Sequence, residues 1–175
     1  MAPSAPAFAI AALVALAALA AAPGVVACRG RQIKAFSATP CGKDNILTVV
    51  NVTARLQEKG SNCELDMRGC VHIDKPIRST LLSFLLKKGP LQVYRGDDMD
   101  ACAMGKQLPI ADLIAGPQGD CRHEKGYVCT PSDSEPFDIS EYAGMLDMAR
   151  GKWTATAKLK HDSGKSCVKF NVQIV

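Results

Sequence analysis

The sequence predicts an all-β protein, an antiparallel β-sandwich of about six to eight short strands. Three observations support this class. Several segments alternate apolar and polar residues with the period of two that is typical of strands, and turn residues separate them. Little of the chain after the leader shows a helical period, and no linker divides it. We therefore expect a single domain over residues 28–175.

The first 27 residues carry no charged side chain and contain AFAIAALVALAALAAA followed by PGVVAC. An apolar run beside a small-residue site predicts a secretory signal peptide over residues 1–27, cleaved after Ala27. Cleavage after Ala22 and an uncleaved signal anchor are alternatives. The anchor is considered because no Lys or Arg precedes the run, which is nearly long enough to span a bilayer.

The charged residues all follow the leader and give a net charge of +4. This balance fits weak attraction to an anionic membrane surface, and it excludes a composition typical of nucleic-acid binding. If all three histidines became protonated in an acidic compartment, the charge would rise from +4 towards +7.

Eight cysteines also follow the leader, and an even number in an exported chain predicts up to four disulfide bonds. Their spacing does not determine the connectivity. The cysteines are Cys28, Cys41, Cys63, Cys70, Cys102, Cys121, Cys129 and Cys167.

The first predicted strand lies in residues 46–60, where Val50, Val52, Ala54 and Leu56 alternate with polar residues. Asn51 begins an Asn-Val-Thr sequon on the polar face, so we expect it to be exposed and glycosylated. A second strand is predicted within 63–76, where Pro76 ends it.

Residues 77–96 predict a hairpin that turns at Lys88-Gly89-Pro90. Periodicity alone does not distinguish a buried strand from a short helix in LLSFLL, but the Gly-Pro break and the strand-like LQVY favour strands.

The next segment, 97–136, is rich in cysteine, proline and glycine, which predicts a loop-rich region held by disulfides. IADLIAG within it predicts one helical turn that ends at Gly116. Residues 137–151 predict a strand-like entry and an apolar loop. Its apolar residues are expected to form a mobile lip: Phe137, Ile139, Met145, Leu146 and Met148.

The last predicted element is a hairpin over 151–175. Apolar residues alternate with polar ones before and after HDSGKS, and Asp162, Ser163 and Gly164 supply the turn.

No motif for catalysis or for a cofactor is present: the sequence lacks a G-x-S-x-G elbow, a phosphate-binding loop and H-E-x-x-H. His161, Asp162 and Ser163 are consecutive in a turn, where side chains diverge, so they do not predict a triad. CRHEKGYVC contains potential zinc ligands, but in an exported chain disulfides are the better interpretation of its cysteines. We predict no enzyme activity, no cofactor and no metal.

The order of features resembles the ML lipid-recognition family, which includes the ganglioside activator, the Niemann–Pick type C cholesterol carrier and the group 2 mite allergens. The resemblance rests on FSATPCGKDN, a strand with NVT, KPIRSTLLSFLLKKGPLQVYRGDDMDAC, GDCRHEKGYVC and the terminal GKWTATAKLKHDSGKSCVKFNVQIV. The resemblance covers roughly residues 36–175, and the chain is most similar to the ganglioside activator branch of the family. Cys28, Cys63 and Cys70 have no clear counterparts in that branch.

This resemblance implies an immunoglobulin-like sandwich whose two sheets stand apart and enclose a lipid. It also implies disulfides between Cys41 and Cys167 and between Cys102 and Cys121. The residues expected to line the pocket are those predicted to face inwards: Val50, Val52, Leu56, Leu82, Phe84, Leu86, Val93, Trp153, Leu159, Phe170 and Val172. Within LLSFLL, Leu81 and Leu85 could replace their neighbours.

The function that the resemblance implies is a secreted or lysosomal protein that binds and transfers a glycolipid, phospholipid, fatty acid or sterol. It would contact a membrane transiently and could serve a receptor or a lipid hydrolase. Two alternatives remain: an innate-immune lipid sensor that presents its ligand to a receptor, and a disulfide-rich interaction module with a solid core.

Overall fold

The computed structural model describes residues 28–105 and 121–175, and within them the chain forms nine β-strands. Short helices follow β5 and β7. The strands are β1 (Ile33–Pro40), β2 (Leu47–Lys59), β3 (Asn62–Ile73), β4 (Thr80–Lys88), β5 (Leu91–Asp100), β6 (Gly126–Cys129), β7 (Phe137–Asp138), β8 (Gly151–His161) and β9 (Gly164–Ile174). The helices are α1 (Ala101–Gly105), the 3-10 helix η1 (Ser140–Met145) and α2 (Leu146–Ala149).

The strands form two sheets, which confirms the predicted antiparallel β-sandwich. The five-stranded sheet has the order β1-β9-β8-β4-β5, and the four-stranded sheet has β2-β3-β6 with β7 also paired to β3. Every pairing between these strands is antiparallel. The backbones of the two sheets come closest where β2 runs beside β1 and β9.

Both predicted hairpins are present, as β4–β5 and β8–β9, and LLSFLL is a strand. β1 was not predicted, because IKAFSATP lacks a clear apolar alternation and is recruited by pairing with β9. The predicted apolar loop after residue 138 is instead η1 and α2. The predicted signal peptide (1–27) and helical turn (110–116) lie outside the described residues.

A β-bulge interrupts β2 at Asn51, whose φ is +51°, so that Asn51 and Val52 lie opposite Gly69 of β3. A Cβ atom on Gly69 would be 2.4 Å from Val52 Cγ2 and 2.8 Å from Val52 Cα. Glycine is therefore needed at position 69 for β3 to approach the bulge. Because a bulge adds one residue, it also changes which side chains of β2 face inwards.

Four disulfide bonds join parts of the chain that are distant in sequence. Cys41–Cys167 connects the end of β1 to β9, and Cys102–Cys121 connects α1 to the segment before β6. Both are the pairs that the resemblance implies. Cys28–Cys63 attaches the start of the described chain to β3, and Cys70–Cys129 joins β3 to β6.

The buried apolar residues form three separate clusters. The first belongs to the five-stranded sheet: Phe84, Leu86, Trp153, Ala155 and Ala157. The second surrounds the Cys28–Cys63 disulfide and includes Ile139, Ala143 and Leu146. The third consists of Ile46, Ile73 and Ile77 at the other end of the four-stranded sheet.

Among residues 28–105 and 121–175, no helix is long and apolar enough to cross a membrane. The same residues contain no group of three or more His, Cys, Asp or Glu side chains arranged to hold a metal ion.

Candidate functional site

The candidate site is the inner face of the five-stranded sheet, defined as the face that carries the first cluster. Alternation along β8 places Trp153, Ala155 and Ala157 on this face. The register places Phe170 beside Ala155 on one side and Leu86 beside it on the other. The apolar rows of three strands therefore form one continuous surface.

Two alanines lie at the middle of this surface, on its central strand. Ala155 is flanked in the register by Leu86 and Phe170, and Ala157 by Phe84 and Val168. Larger side chains thus stand on either side of a row of methyl groups.

Among the described residues, the apolar side chains of this surface pack with one another. Phe84 is 6% exposed and belongs to the first cluster, as do its partly buried neighbours, which are Leu82, Tyr94, Met99, Phe170 and Val172. None of these residues belongs to the four-stranded sheet. In sandwiches of ordinary spacing, side chains of the two inner faces interdigitate.

The facing side of the four-stranded sheet is also incompletely buried. On β3, Leu65, Met67 and Val71 point to one face and are only half-buried. Leu65 packs with the second cluster and Val71 with the third, so neither joins the first. Half-buried apolar side chains therefore lie on both facing surfaces.

The structure brings together six of the eleven residues expected to line the pocket. They all belong to or pack against the first cluster: Leu82, Phe84, Leu86, Trp153, Phe170 and Val172. The even positions of β4 thus face inwards, while Leu81 and Leu85 lie on the outer face. Leu159 is half-buried on the inner row of β8, and Leu56 packs against the second cluster.

The expected inward position of Val93 is wrong, because this residue is 54% exposed. The register moves from Leu86↔Tyr94 to Lys87↔Gln92, so Val93 is the additional residue of a β-bulge. Tyr94 takes the inward position instead and packs against the first cluster.

The expected position of Val50 is also wrong, because the bulge at Asn51 reverses the alternation of β2. Val50 lies directly opposite Cys70, so both share a face, whereas Val71 points to the other face and packs inwards. Val49, opposite Val71, has the inward position. Val52 is half-buried in the bulge against Gly69.

Several contributors to the surface were not among the expected lining residues. Ala155 and Ala157 have the predicted alternation, and their role follows from the register with larger neighbours. Tyr94 and Met99 reach the cluster only because bulges shift β5, and the sequence gives no signal for them.

The expected mobile lip is mostly an anchored segment. Ile139, Met145 and Leu146 are buried, and Phe137 packs against the second cluster. Hydrogen bonds explain the anchoring: Cys63 N–H donates to Ser140 Oγ over 2.9 Å, and Ile139 N–H donates to the Cys63 carbonyl over 2.7 Å. Met148, 53% exposed, is the exception.

Aspartates at this end are held as anions. Ser140, through its hydroxyl and its backbone N–H, lowers the pKa of Asp138. Hydrogen bonds from Arg31 and then Arg29 lower the pKa of Asp147, at distances of 2.8 and 2.9 Å. Asp147 therefore pins the start of the described chain to α2.

The three consecutive residues of the β8–β9 turn do not form a triad. His161 Nδ1 lies 2.7 Å from Thr80 Oγ1, and its Nε2 lies 3.0 Å from Ser166 Oγ. The Asp162 carboxylate accepts the backbone N–H groups of Arg78 and Ser79. Neither side chain is engaged with Ser163.

Burial lowers the pKa of His161; nearby His123 lowers it further, and Asp162 opposes the shift. The folded protein therefore disfavours the charged form of this histidine, which opposes a rise of the net charge towards +7. The sulfur atoms of CRHEKGYVC are bonded in Cys102–Cys121 and Cys70–Cys129. They are thus not thiolates that could bind zinc.

Asn51 is exposed at the β2 bulge, and Thr53 of the same sequon is exposed as well. The sequon is therefore open to solvent, as a glycosylation site requires.

The chain was compared with protein families, with curated proteins and with solved structures. No family model matches it, and no curated protein matches. Among solved structures it is similar to chicken MD-1, described as complexed with lipid IVa, with 14% sequence identity and a TM-score of 0.36 over 79% of this chain and 98% of that chain. A TM-score of this size is too low to assign function.

Proposed function

We propose that this protein is a non-enzymatic lipid carrier of the ML type, exported from the cell or delivered to the lysosome. It holds the hydrocarbon part of a lipid between its two sheets. The observation that carries the proposal is the first cluster, whose described members all belong to one sheet and whose edges stay half-buried. A hydrocarbon guest would complete the burial that the facing sheet does not supply.

The energetics of such a guest are favourable. Burying about 15 methylenes at about 0.8 kcal/mol each contributes on the order of 12 kcal/mol before losses. The lost freedom of the ligand offsets several kcal/mol of this, which leaves a dissociation constant on the order of micromolar to nanomolar.

The disulfides support the same proposal. A sheet pair that does not interdigitate lacks part of the packing that normally stabilises a fold. Four disulfides offset that loss by restricting the unfolded chain, and they suit an oxidising compartment outside the cytosol.

The first test is native mass spectrometry of protein purified from a eukaryotic secretion system, followed by solvent extraction. We expect an extractable lipid, and we expect the lipid-free protein to bind a fluorescent fatty acid or sterol. If extraction yields nothing and neither probe binds, a solid-core interaction module is the correct interpretation.

The second test places the ligand on one face of β4. Leu82 and Leu85 are both half-buried on this strand, but Leu82 packs against the first cluster and Leu85 lies on the opposite face. Leu82→Asp should abolish probe binding, because it puts a carboxylate where hydrocarbon is expected. Leu85→Asp is the matched control and should keep it. Equal binding by two folded variants would contradict the proposed site.

A further inference from the structure

Three apolar side chains project from the end of the sandwich where β4 turns into β5. Leu91 is 69% exposed, Val93 54% and Met148 53%. Lys88 connects them: it pairs with Leu91 across the hairpin, and its Nζ donates to the Met148 carbonyl over 2.6 Å. The two loops that carry these residues are therefore neighbours.

This end leads directly to the inner face of the five-stranded sheet. Lys88 lies opposite Trp153 in the register, and its Nζ lies 5.3 Å from the centroid of the Trp153 ring. Because directly paired residues share a face, Leu91, Lys88 and Trp153 are all on the inner side. Leu91 therefore extends the buried apolar row into solvent.

Basic residues flank the three apolar side chains along the chain. Residues 85–96 and 148–160 contain no Asp or Glu. They contribute Lys87, Lys88, Arg150 and Lys152, none of which forms an ion pair within the described part of the chain. Asp147, the acidic residue next to Met148, is already bound by Arg29 and Arg31.

We propose that this rim, made of Leu91, Val93, Met148, Lys87, Lys88, Arg150 and Lys152, docks the protein on an anionic bilayer. The apolar side chains enter the interface while the cations contact lipid phosphates and carboxylates. The inference rests on the proposed function, since docking here would place the membrane next to the end of the inner face. Exposed apolar residues flanked by cations that form no ion pair in the described part of the chain complement an anionic membrane.

The test uses the full exported protein with vesicles of phosphatidylcholine alone and vesicles that also contain phosphatidylserine. We expect sedimentation with the anionic vesicles, weakened by salt. Replacing Arg150 and Lys152 by Gln should lower the partition coefficient by about 25-fold, roughly fivefold for each cation.

The matched control is Lys158→Gln with Lys160→Gln, which makes the same charge change at the same spacing on β8. These lysines are exposed and lie about 26 Å farther along the strand. The control should bind within about twofold of the original protein, since each retained cation keeps its contribution. If both pairs lose binding equally, net charge and not the rim determines association, which overturns the proposal.

A second pair of variants tests the apolar contribution. Leu91→Gln should weaken vesicle binding by about tenfold because it removes the inserted side chain. Tyr127→Gln alters an equally exposed residue, 69% in both cases, on the other sheet, and should have no effect. If Leu91→Gln instead abolishes self-association of a protein that does not bind vesicles, the rim is a contact between two copies of the chain.

Docking and lipid binding can fail separately. Leu91→Gln should still bind a fluorescent fatty acid in solution, because Leu91 is 69% exposed and lies outside the first cluster and the residues packed against it. A chain that binds the fatty acid but not anionic vesicles overturns the docking proposal alone. A chain that binds vesicles through the rim but takes up no fatty acid or sterol overturns the proposed function and leaves the docking surface standing.

Discussion

Replacing Val172 by a larger residue distinguishes an open interior from a solid one, because it lowers the free energy of unfolding in a solid interior alone. Val172 is half-buried on the inner row of β9, where it packs against the first cluster. Phenylalanine at this position would extend towards the facing sheet. In a closed core, such an enlargement costs about 1–3 kcal/mol of stability. In an open interior it occupies space intended for the guest and leaves the stability of the lipid-free protein nearly unchanged.

The effect on binding follows from the volume taken from the guest. If the ring displaces about three methylenes at about 0.8 kcal/mol each, binding weakens by about 2.4 kcal/mol, or about fiftyfold. The assay is titration of lipid-free protein with a fluorescent fatty acid, together with urea unfolding of the same sample.

Val168→Phe is the internal control, because Val168 lies on the same strand and the same face but is 3% exposed. It should lose about 1–3 kcal/mol of unfolding free energy through overpacking. If Val172→Phe is destabilised as much as Val168→Phe and the fatty acid affinity is unchanged, the interior near Val172 is already filled and our reasoning is refuted.

Three further predictions concern stability and modification. Because the pKa of His161 is lowered in the folded state, the unfolded chain binds more protons than the folded one near that pH. The stability that neutral His161 contributes should therefore be fully present above its ordinary pKa of about 6.5, and should fall as the pH drops below that value. Urea midpoints between pH 7.5 and 5.5 should show this slope, and His161→Gln should flatten it. Replacing both Cys41 and Cys167 by Ser should lower the free energy of unfolding by about 5 kcal/mol, because this disulfide closes a separation of 126 residues. The same replacement of Cys102 and Cys121, which are 19 residues apart, should lower it by about 3 kcal/mol. Equal losses in denaturant unfolding would contradict this explanation by loop entropy. Glycosidase treatment of secreted protein should reduce its mass, and Asn51→Gln should abolish that shift, because Asn51 is exposed.

Much of the sandwich could be predicted from sequence because its strands obey a period of two. The inward rows of β4, β8 and β9 follow from alternation, and turn residues define both hairpins. The prediction is wrong at Val50, which precedes a bulge, and at Val93, which is the additional residue of another bulge. Each bulge adds one residue and reverses the alternation of inward and outward side chains. Alternation contains no information about such insertions, which depend on contacts with a partner strand.

The sequence predicts less of the candidate site than of the fold. Core residues and cavity walls are the same residue types, so composition does not separate them. The difference appears only when Phe84 and Trp153 are found to pack with members of their own sheet. Similarly, Cys28–Cys63 and Cys70–Cys129 depend on which strands are neighbours, and cysteine counting does not determine this.

One corner ties the two sheets together. The N–H of Ile46, just before β2, donates to the carbonyl of Lys165 in β9, and the N–H of Leu47 in β2 donates to Ser166 Oγ in β9. β5 is the edge strand of the five-stranded sheet on the side away from this corner. Amide protons near this corner should exchange with deuterium more slowly than those of β5, because an edge strand is paired on one side alone.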